Sequence, residues 1–287
     1  MRSAAIISKP DKPELYRIIP ELLRWLQERD YRVYLDEETA VYTQGLHTGH
    51  QTHARHDLAG LVPEFVIVLG GDGTLLSAAR ALAHKSIPII AVNVGSLGFL
   101  TEVPLAEMYP TLEAVDAGQC PLESRAMVHC DLVRNGQGVA EFDALNDAVL
   151  NKSTIARLVS IDVYIEGTFV SNYLADGVII STPTGSTAYS LAAGGPILTP
   201  SVDGFVITPV SPHSLTHRPL VVRDSATIDF VYRSSEEAFL SIDGQVGMPV
   251  IEGDHVRCSK SSATVQLFRI RKSFFEVLRS KLKWGQR

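Results

Sequence analysis

Apolar positions in the first 120 residues alternate between short continuous runs and a helical period. Residues 3–8 (SAAIIS) form an apolar run, and across 13–29 Leu15, Ile18, Ile19, Leu22, Leu23 and Leu26 recur at the spacing of one helix face. Tyr31–Leu35 predicts a second strand. Phe65–Leu69 (FVIVL) has no polar interruption, as in a strand covered on both faces of a parallel sheet. Ile87–Val92 repeats that pattern after a helical stretch at about 74–84. Strands alternating with helices predict a doubly wound α/β domain over residues 1–120.

Beyond residue 120 the pattern changes. Short β-rich segments follow at Met127–Arg134, Leu158–Ile165, Val178–Ser181, Phe205–Pro209, Thr227–Tyr232, Phe239–Ile242 and Thr264–Phe268. Turn residues such as NGQG (135–138) and EGD (252–254) separate them. Few helical periods interrupt, so residues 121–269 predict an all-β, sandwich-like domain. The tail SFFEVLRSKLKW returns to helical spacing, and the helix over 270–287 is expected to pack back on the first domain.

Composition narrows the function classes. The chain has 287 residues, 45% hydrophobic and 20% charged, ordinary for a globular protein with two sizeable cores. Cys120, Cys130 and Cys258 form no CxxC pair, which predicts structural thiols in a reducing, cytoplasmic compartment. No apolar stretch approaches the roughly 20 residues of a membrane span. The start of the chain predicts a strand and turn, not a signal peptide. A net charge of −6 argues against sequence-independent nucleic-acid binding, so an anionic substrate needs local devices to hold it.

Two segments carry candidate chemistry. In FVIVLGGDGTLLSAARAL, Gly70, Gly71, Asp72, Gly73 and Thr74 lie between a buried strand and a helix. Glycines there permit a tight turn, and a helix amino terminus attracts phosphate. Asp72 would repel such a ligand unless it takes a proton from an attacking hydroxyl or engages a magnesium ion. The alternative is a structural turn with Asp72 as helix cap. No GK[ST] follows, which excludes a P-loop, and Leu76 stands where GxGxxG needs its third glycine. The second segment, DGVIISTPTGSTAYSLAAGGPI at 176–197, follows a strand with Ser181, Thr182, Thr184, Ser186 and Thr187, then Tyr189. Small side chains expose backbone amides, and hydroxyls donate to sugar or phosphate oxygens.

Together these segments resemble the NAD kinase family. The family's GGDGT turn, Asn-Glu/Asp pair, DG…STPTGSTAY…GGP loop and late SxDG element stand here as Gly70–Thr74, Asn146–Asp147, Asp176–Pro196 and Ser241–Gln245. Asn93–Leu100 also resembles the family's segment after the next strand, so the likeness covers nearly the whole chain. It implies phosphoryl transfer from ATP or polyphosphate to the 2′-hydroxyl of the adenosine ribose of NAD, giving NADP. It implies a divalent metal, Mg2+ by expectation, and assembly as a homodimer or homotetramer. By the same resemblance Asp72 is the catalytic proton acceptor, and Gly73 lets the substrate approach. Phe99 flanks the adenine, and Asn146 and Asp147 hold the adenine or ribose. Asp176 binds the nicotinamide half. Thr187, Ala188, Tyr189, Ser190, Leu191 and Ala192 line the pocket, with Arg157 and Gln245 as further contacts. Ala192 replaces a serine of some members. Leu174 replaces an arginine or glycine at a position associated with NAD against NADH preference, which stays open.

Other features have plainer readings. His47, His50, His53 and His56 recur every third residue, a spacing that on a helix would allow a metal site, but Gly49 weakens the helix and a solvated segment is expected. His213 and His217, bracketed by Pro212 and Pro219, read as a loop between strands, and Tyr189 as a packed ring. A lipid or sugar kinase sharing the GGDG turn and a non-catalytic NAD(P) sensor are the competing functions.

Overall fold

A computed structural model describes residues 2–44, 49–95, 98–153, 157–270 and 273–284. The chain divides into two compact units, one of residues 1–124 with 264–287, the other of residues 125–263.

In the first unit β1 (Ser3–Ser8), α1 (Leu15–Gln27), β2 (Arg32–Asp36), α2 (Glu37–Ala40), β3 (Gln51–His53), β4 (Phe65–Gly70), α3 (Asp72–Leu82) and β5 (Ile89–Asn93) follow in order. The two-residue β6 (Val103–Pro104) and α4 (Met108–Asp116) come next. The first five strands form a parallel sheet in the order β3-β2-β1-β4-β5. All six positions of β4 are buried, as a strand without polar interruptions requires. α1 buries Leu15, Ile18, Ile19, Leu22, Leu23 and Leu26, the predicted face, into a core shared with Ile6, Leu35 and Ile67. The chain runs outward from β1 to β2 and β3, then reverses to β4 and β5. In open α/β sheets the crevice at such a reversal, beyond the carboxyl ends of the strands, is where ligands bind. Here that crevice lies after β1 and β4, where the GGDGT turn stands.

The remaining strands are β7 (Leu122–Arg134), β8 (Gln137–Ala144), β9 (Asp147–Lys152), β10 (Val159–Ile165), β11 (Thr168–Ala175) and β12 (Gly177–Ser181). After the single-turn α5 (Tyr189–Ala192) come β13 (Gly204–Val210), β14 (Leu220–Arg223), β15 (Ile228–Tyr232), β16 (Ala238–Ile242), β17 (Val246–Val250) and β18 (His255–Phe268). The helix α6 (Phe274–Leu282) follows, with Ser273 and Glu276 forming a reciprocal capping box at its start. Within the second unit an antiparallel sheet β14-β13-β12-β9-β16-β17 packs against strands β11-β10-β15-β18. Leu150, Ile180, Phe205 and Leu240 of the first meet Ile161, Val163, Phe230 and Cys258 of the second in one apolar core, the two-layer solution for strands with one buried face. Cys130 and Cys258 are fully buried there as free thiols.

The second unit is sheet-rich as expected, with the single-turn α5 and a 3-10 turn at Gly185–Thr187 after β12. In the histidine-rich segment His53 ends β3 and His56 sits in a 3-10 helix over Arg55–Leu61, while His47 lies outside the described residues. One expectation changes. Tyr189 is not a packed ring but 42% exposed. His213 and His217 do lie on a loop between β13 and β14. Among the described residues no helix is long and apolar enough to cross a membrane.

Candidate active site

In the first unit the GGDGT turn has two faces. Gly71, Gly73 and Thr74 line a cleft of about 250 Å³ together with Ser8, Lys9, Pro10, Glu38, Arg55 and Ser77. The first turn of α3 opens onto it, so the positive end of an 11-residue helix faces the space. Arg55 forms one wall, donating to Asp36 at 2.5 and 2.8 Å, to Glu38 at 2.7 Å and to Ser77 at 2.8 Å. The acidic partners keep the guanidinium in place against the cost of burial, and its pKa is raised.

Asp72 itself points elsewhere. Gly71, not Asp72, occupies the N-cap position, which sets aside the reading of Asp72 as a simple helix cap. Its Oδ1 accepts from Leu100 N at 3.1 Å, Thr101 N at 3.0 Å and Thr101 Oγ1 at 3.0 Å. Its Oδ2 accepts from Phe99 N alone, at 2.8 Å. Asn93 at the end of β5 donates to Thr101 Oγ1 at 2.9 Å, so the carboxylate is fixed from two adjacent strand ends. Gly98 makes this possible, because a Cβ there would stand 2.0 Å from Asp72 Oδ1. The consequence is chemical: Oδ1 is saturated, and Oδ2 is the oxygen with capacity to accept a further proton donor. Phe99 is half-buried, with Lys281 Nζ of α6 5.7 Å from its ring centre.

In the second unit three distant stretches converge at the start of β9. Leu145, Asn146 and Asp147 donate their backbone N–H groups to the Asp243 carboxylate at 3.2, 2.7 and 3.2 Å. Thr182 Oγ1 donates to Leu145 O at 2.5 Å. Thr182 N donates to Asn146 O, and Asp243 N to Asp147 O, each at 2.9 Å. The backbone of this segment is thereby fully satisfied from within. The Asn146 side chain is different: its Oδ1 is buried and accepts no hydrogen bond. A buried acceptor left open costs free energy unless a ligand completes it. Asp147 is 4% exposed, and burial first, then the charge of Asp243, pushes its carboxyl up to about 7.

Asp176 sits at the other end of the same strands. The β9–β12 register runs from Asp147↔Ser181 to Asn151↔Gly177, which separates Asp176 from Asn146 by roughly 20 Å at strand rise. There Asp176 pairs with Lys152, a residue that sequence reasoning passed over. Along α5, Ala188 is half-buried, and Thr187 hydrogen-bonds back to Thr184 O at 3.2 Å. Leu191 is half-buried and Ala192 exposed. Ser190 turns inward and is fully buried, its hydroxyl 2.9 Å from that of Thr208. Arg157, 74% exposed, pairs with Glu236 at 3.0 Å. Gln245 closes the β16–β17 turn through its N–H to Ile242 O at 3.0 Å, and Leu174 is exposed. Thr182 and Asp243 are the supports that the sequence showed only as members of motifs. Their partners lie 37 and 96 to 98 residues away, a separation without any periodic signal.

Among the described residues the histidine-carboxylate cluster dense enough to hold an ion is His129, Asp131 and Glu141, on the β7–β8 hairpin. His129 already spends both ring nitrogens, on Asp143 at 3.0 Å and Asp131 at 3.2 Å.

A glycine turn opening a helix at the sheet's switch point, with a fixed carboxylate behind it, is the arrangement of a nucleotide-dependent kinase. Residues 4–120 match the ATP-NAD kinase N-terminal domain and residues 145–270 the ATP-NAD kinase C-terminal domain. The chain is 60% identical over 288 residues to the NAD kinase of Koribacter versatilis (strain Ellin345) and 50% identical over 289 residues to that of Acidobacterium capsulatum, covering all of each. Its fold is similar to that of yeast NADH kinase complexed with NADH, with a TM-score of 0.91 at 26% identity, covering 100% of this chain and 89% of that one. The chain belongs to the NAD kinase family. That membership sets aside the lipid-kinase alternative.

Proposed function

We propose that this protein transfers the γ-phosphoryl group of ATP to the 2′-hydroxyl of the adenosine ribose of NAD, giving NADP. The observation that carries the reading is Asp72, held rigid by four donors with Oδ2 open, at the amino terminus of the helix whose first turn lines the switch-point cleft. Phosphoryl transfer needs in-line positioning and charge neutralisation more than covalent help. The cleft at Gly71, Gly73 and Thr74 receives the donor phosphates, and Oδ2 of Asp72 takes the proton of the attacking hydroxyl. Asn146 accepts the adenine amino group at its open Oδ1, as asparagine pairs with adenine elsewhere. Phe99 offers its ring to the base. Asp147 serves the ribose, and Thr187–Ala192, Arg157 and Gln245 the rest of the acceptor. Asp176, beside Lys152, is assigned to the nicotinamide half.

A divalent cation, magnesium in this reading, neutralises phosphate charge when bound. Glu38 is the carboxylate that lines the cleft, which fits an ion carried mainly by phosphate and water oxygens. The chain is taken to act in the cytoplasm as a homodimer or homotetramer, which sedimentation equilibrium reads directly.

The test is NADP formation from NAD with ATP, then with polyphosphate, with and without magnesium. Absence of NADP with either donor overturns the reading and favours a sensor. Asp72→Asn should lower kcat by roughly 10²–10⁴ with the fold intact. A folded Asp72→Asn protein with near-normal kcat removes Asp72 from the reaction.

A further inference from the structure

The backbone accounting around Asn146 has an unusual holder. One carboxylate, that of Asp243, takes three successive N–H groups, and the residue's own N–H returns to Asp147 O. Asp243 is 8% exposed, so these bonds are shielded from water. Its placement follows from local sequence. Asp243 (φ +50°) and Gly244 (φ +64°) are both left-handed between paired Ile242 and Val246, with Gln245 N bonded to Ile242 O at 3.0 Å. That is the Asp-Gly turn whose twist matches a β-hairpin. The turn aims the side chain back along β16 onto the start of β9, the strand beside it.

We propose that Asp243 is a positioning residue for recognition of the adenosine half of the acceptor. By gripping the amides of Leu145, Asn146 and Asp147 together it fixes where Asn146 presents its open Oδ1. The inference rests on the reading that Asn146 receives the adenine. Asp243 touches no substrate and acts through the backbone it holds. Charge-assisted bonds of this kind are the stronger class of hydrogen bond, and three on one segment leave it little freedom.

Asp243→Asn is the informative substitution, because Asn-Gly supports the same turn while removing the charge and one acceptor oxygen. In the full-length protein KM for NAD should rise roughly 10- to 100-fold, with KM for ATP changing less than twofold and circular dichroism unchanged. Asn146→Ala is measured in parallel, and the double variant should have a KM for NAD no higher than Asn146→Ala alone, since both act through one contact. A folded Asp243→Asn protein whose KM for NAD is within twofold of the parent overturns the proposal. So does an equal rise in both KM values, or effects that add in the double variant. If Asn146→Ala leaves KM for NAD unchanged, the adenine assignment itself fails, which is a separate outcome. Should Asp243→Asn not fold, Asp243→Glu, which keeps the charge but displaces it by one methylene, is judged by the same criteria.

Discussion

Asp147 opens β9 with its carboxyl buried and Asp243 close by, and both circumstances disfavour its charge. A carboxyl whose folded pKa is raised from 3.8 to about 7 contributes most to stability at low pH, and that contribution is lost as pH climbs to 7. Asp147→Asn removes the penalty of charging it. The Tm of the variant relative to the parent should therefore increase by roughly 3–8 °C between pH 5 and pH 8. Calorimetry at the two pH values checks this, and an equal difference at both would mean that folding does not raise the Asp147 carboxyl above its unfolded pKa. Asn146 next to it is the opposite kind of residue: it carries no charge, and its worth lies in one open oxygen. The sequence marked both positions through a motif. It carried no sign that one is a titrating acid and the other an unfilled acceptor, since both properties depend on what surrounds them in space.

The β7–β8 hairpin shows how an element's stability is tied to pH. His129 lies opposite Asp143, and Asp131 opposite Glu141, on one face of the pair. Burial lowers the imidazole pKa, but the carboxylates of Asp143 and Asp131 outweigh it, and the net direction is upward. A raised histidine contributes stability that is whole below its unfolded pKa and vanishes as pH rises through the folded one. His129→Gln should lower Tm at pH 5.5 and leave it unchanged at pH 9, and a loss of equal size at both would assign His129 to packing alone. Element types were legible where apolar runs were continuous, as in β4, β12 and β13, whose every position is buried. β8, β11 and β17 were not: QGVAEFDA buries one of its eight positions and TFVSNYLA two, and VGMPV contains a glycine and a proline. Such strands are specified by their neighbours more than by their own composition. In the site, glycines and the lone aspartate of GGDGT were readable as a phosphate turn. That Asp72 turns away from the cleft toward Phe99–Thr101 depends on a bond spanning 27 to 29 residues, and no local pattern announces it.

At the scale of the molecule each unit has its own core, one gathered around Ile6, Leu22 and Ile67, the other around Ile161, Phe205 and Phe230. The second unit is a single stretch, residues 125–263, whereas the first is assembled from 1–124 and 264–287. A stretch that holds an entire core is an independent folding unit. Residues 125–263 expressed alone should give dispersed amide NMR spectra and a cooperative thermal transition, whereas a molten, non-cooperative product would show that its core is incomplete. The end of β18 has a consequence for biosynthesis. Leu267 pairs with Ile89 of β5, so the first unit gains its last strand only from chain made after the whole of the second. On the ribosome the β-rich insert is therefore ready to collapse before the parallel sheet is finished. The nascent α/β layer must wait, with the Ile89 end of its border strand unpaired, for Leu267 to emerge.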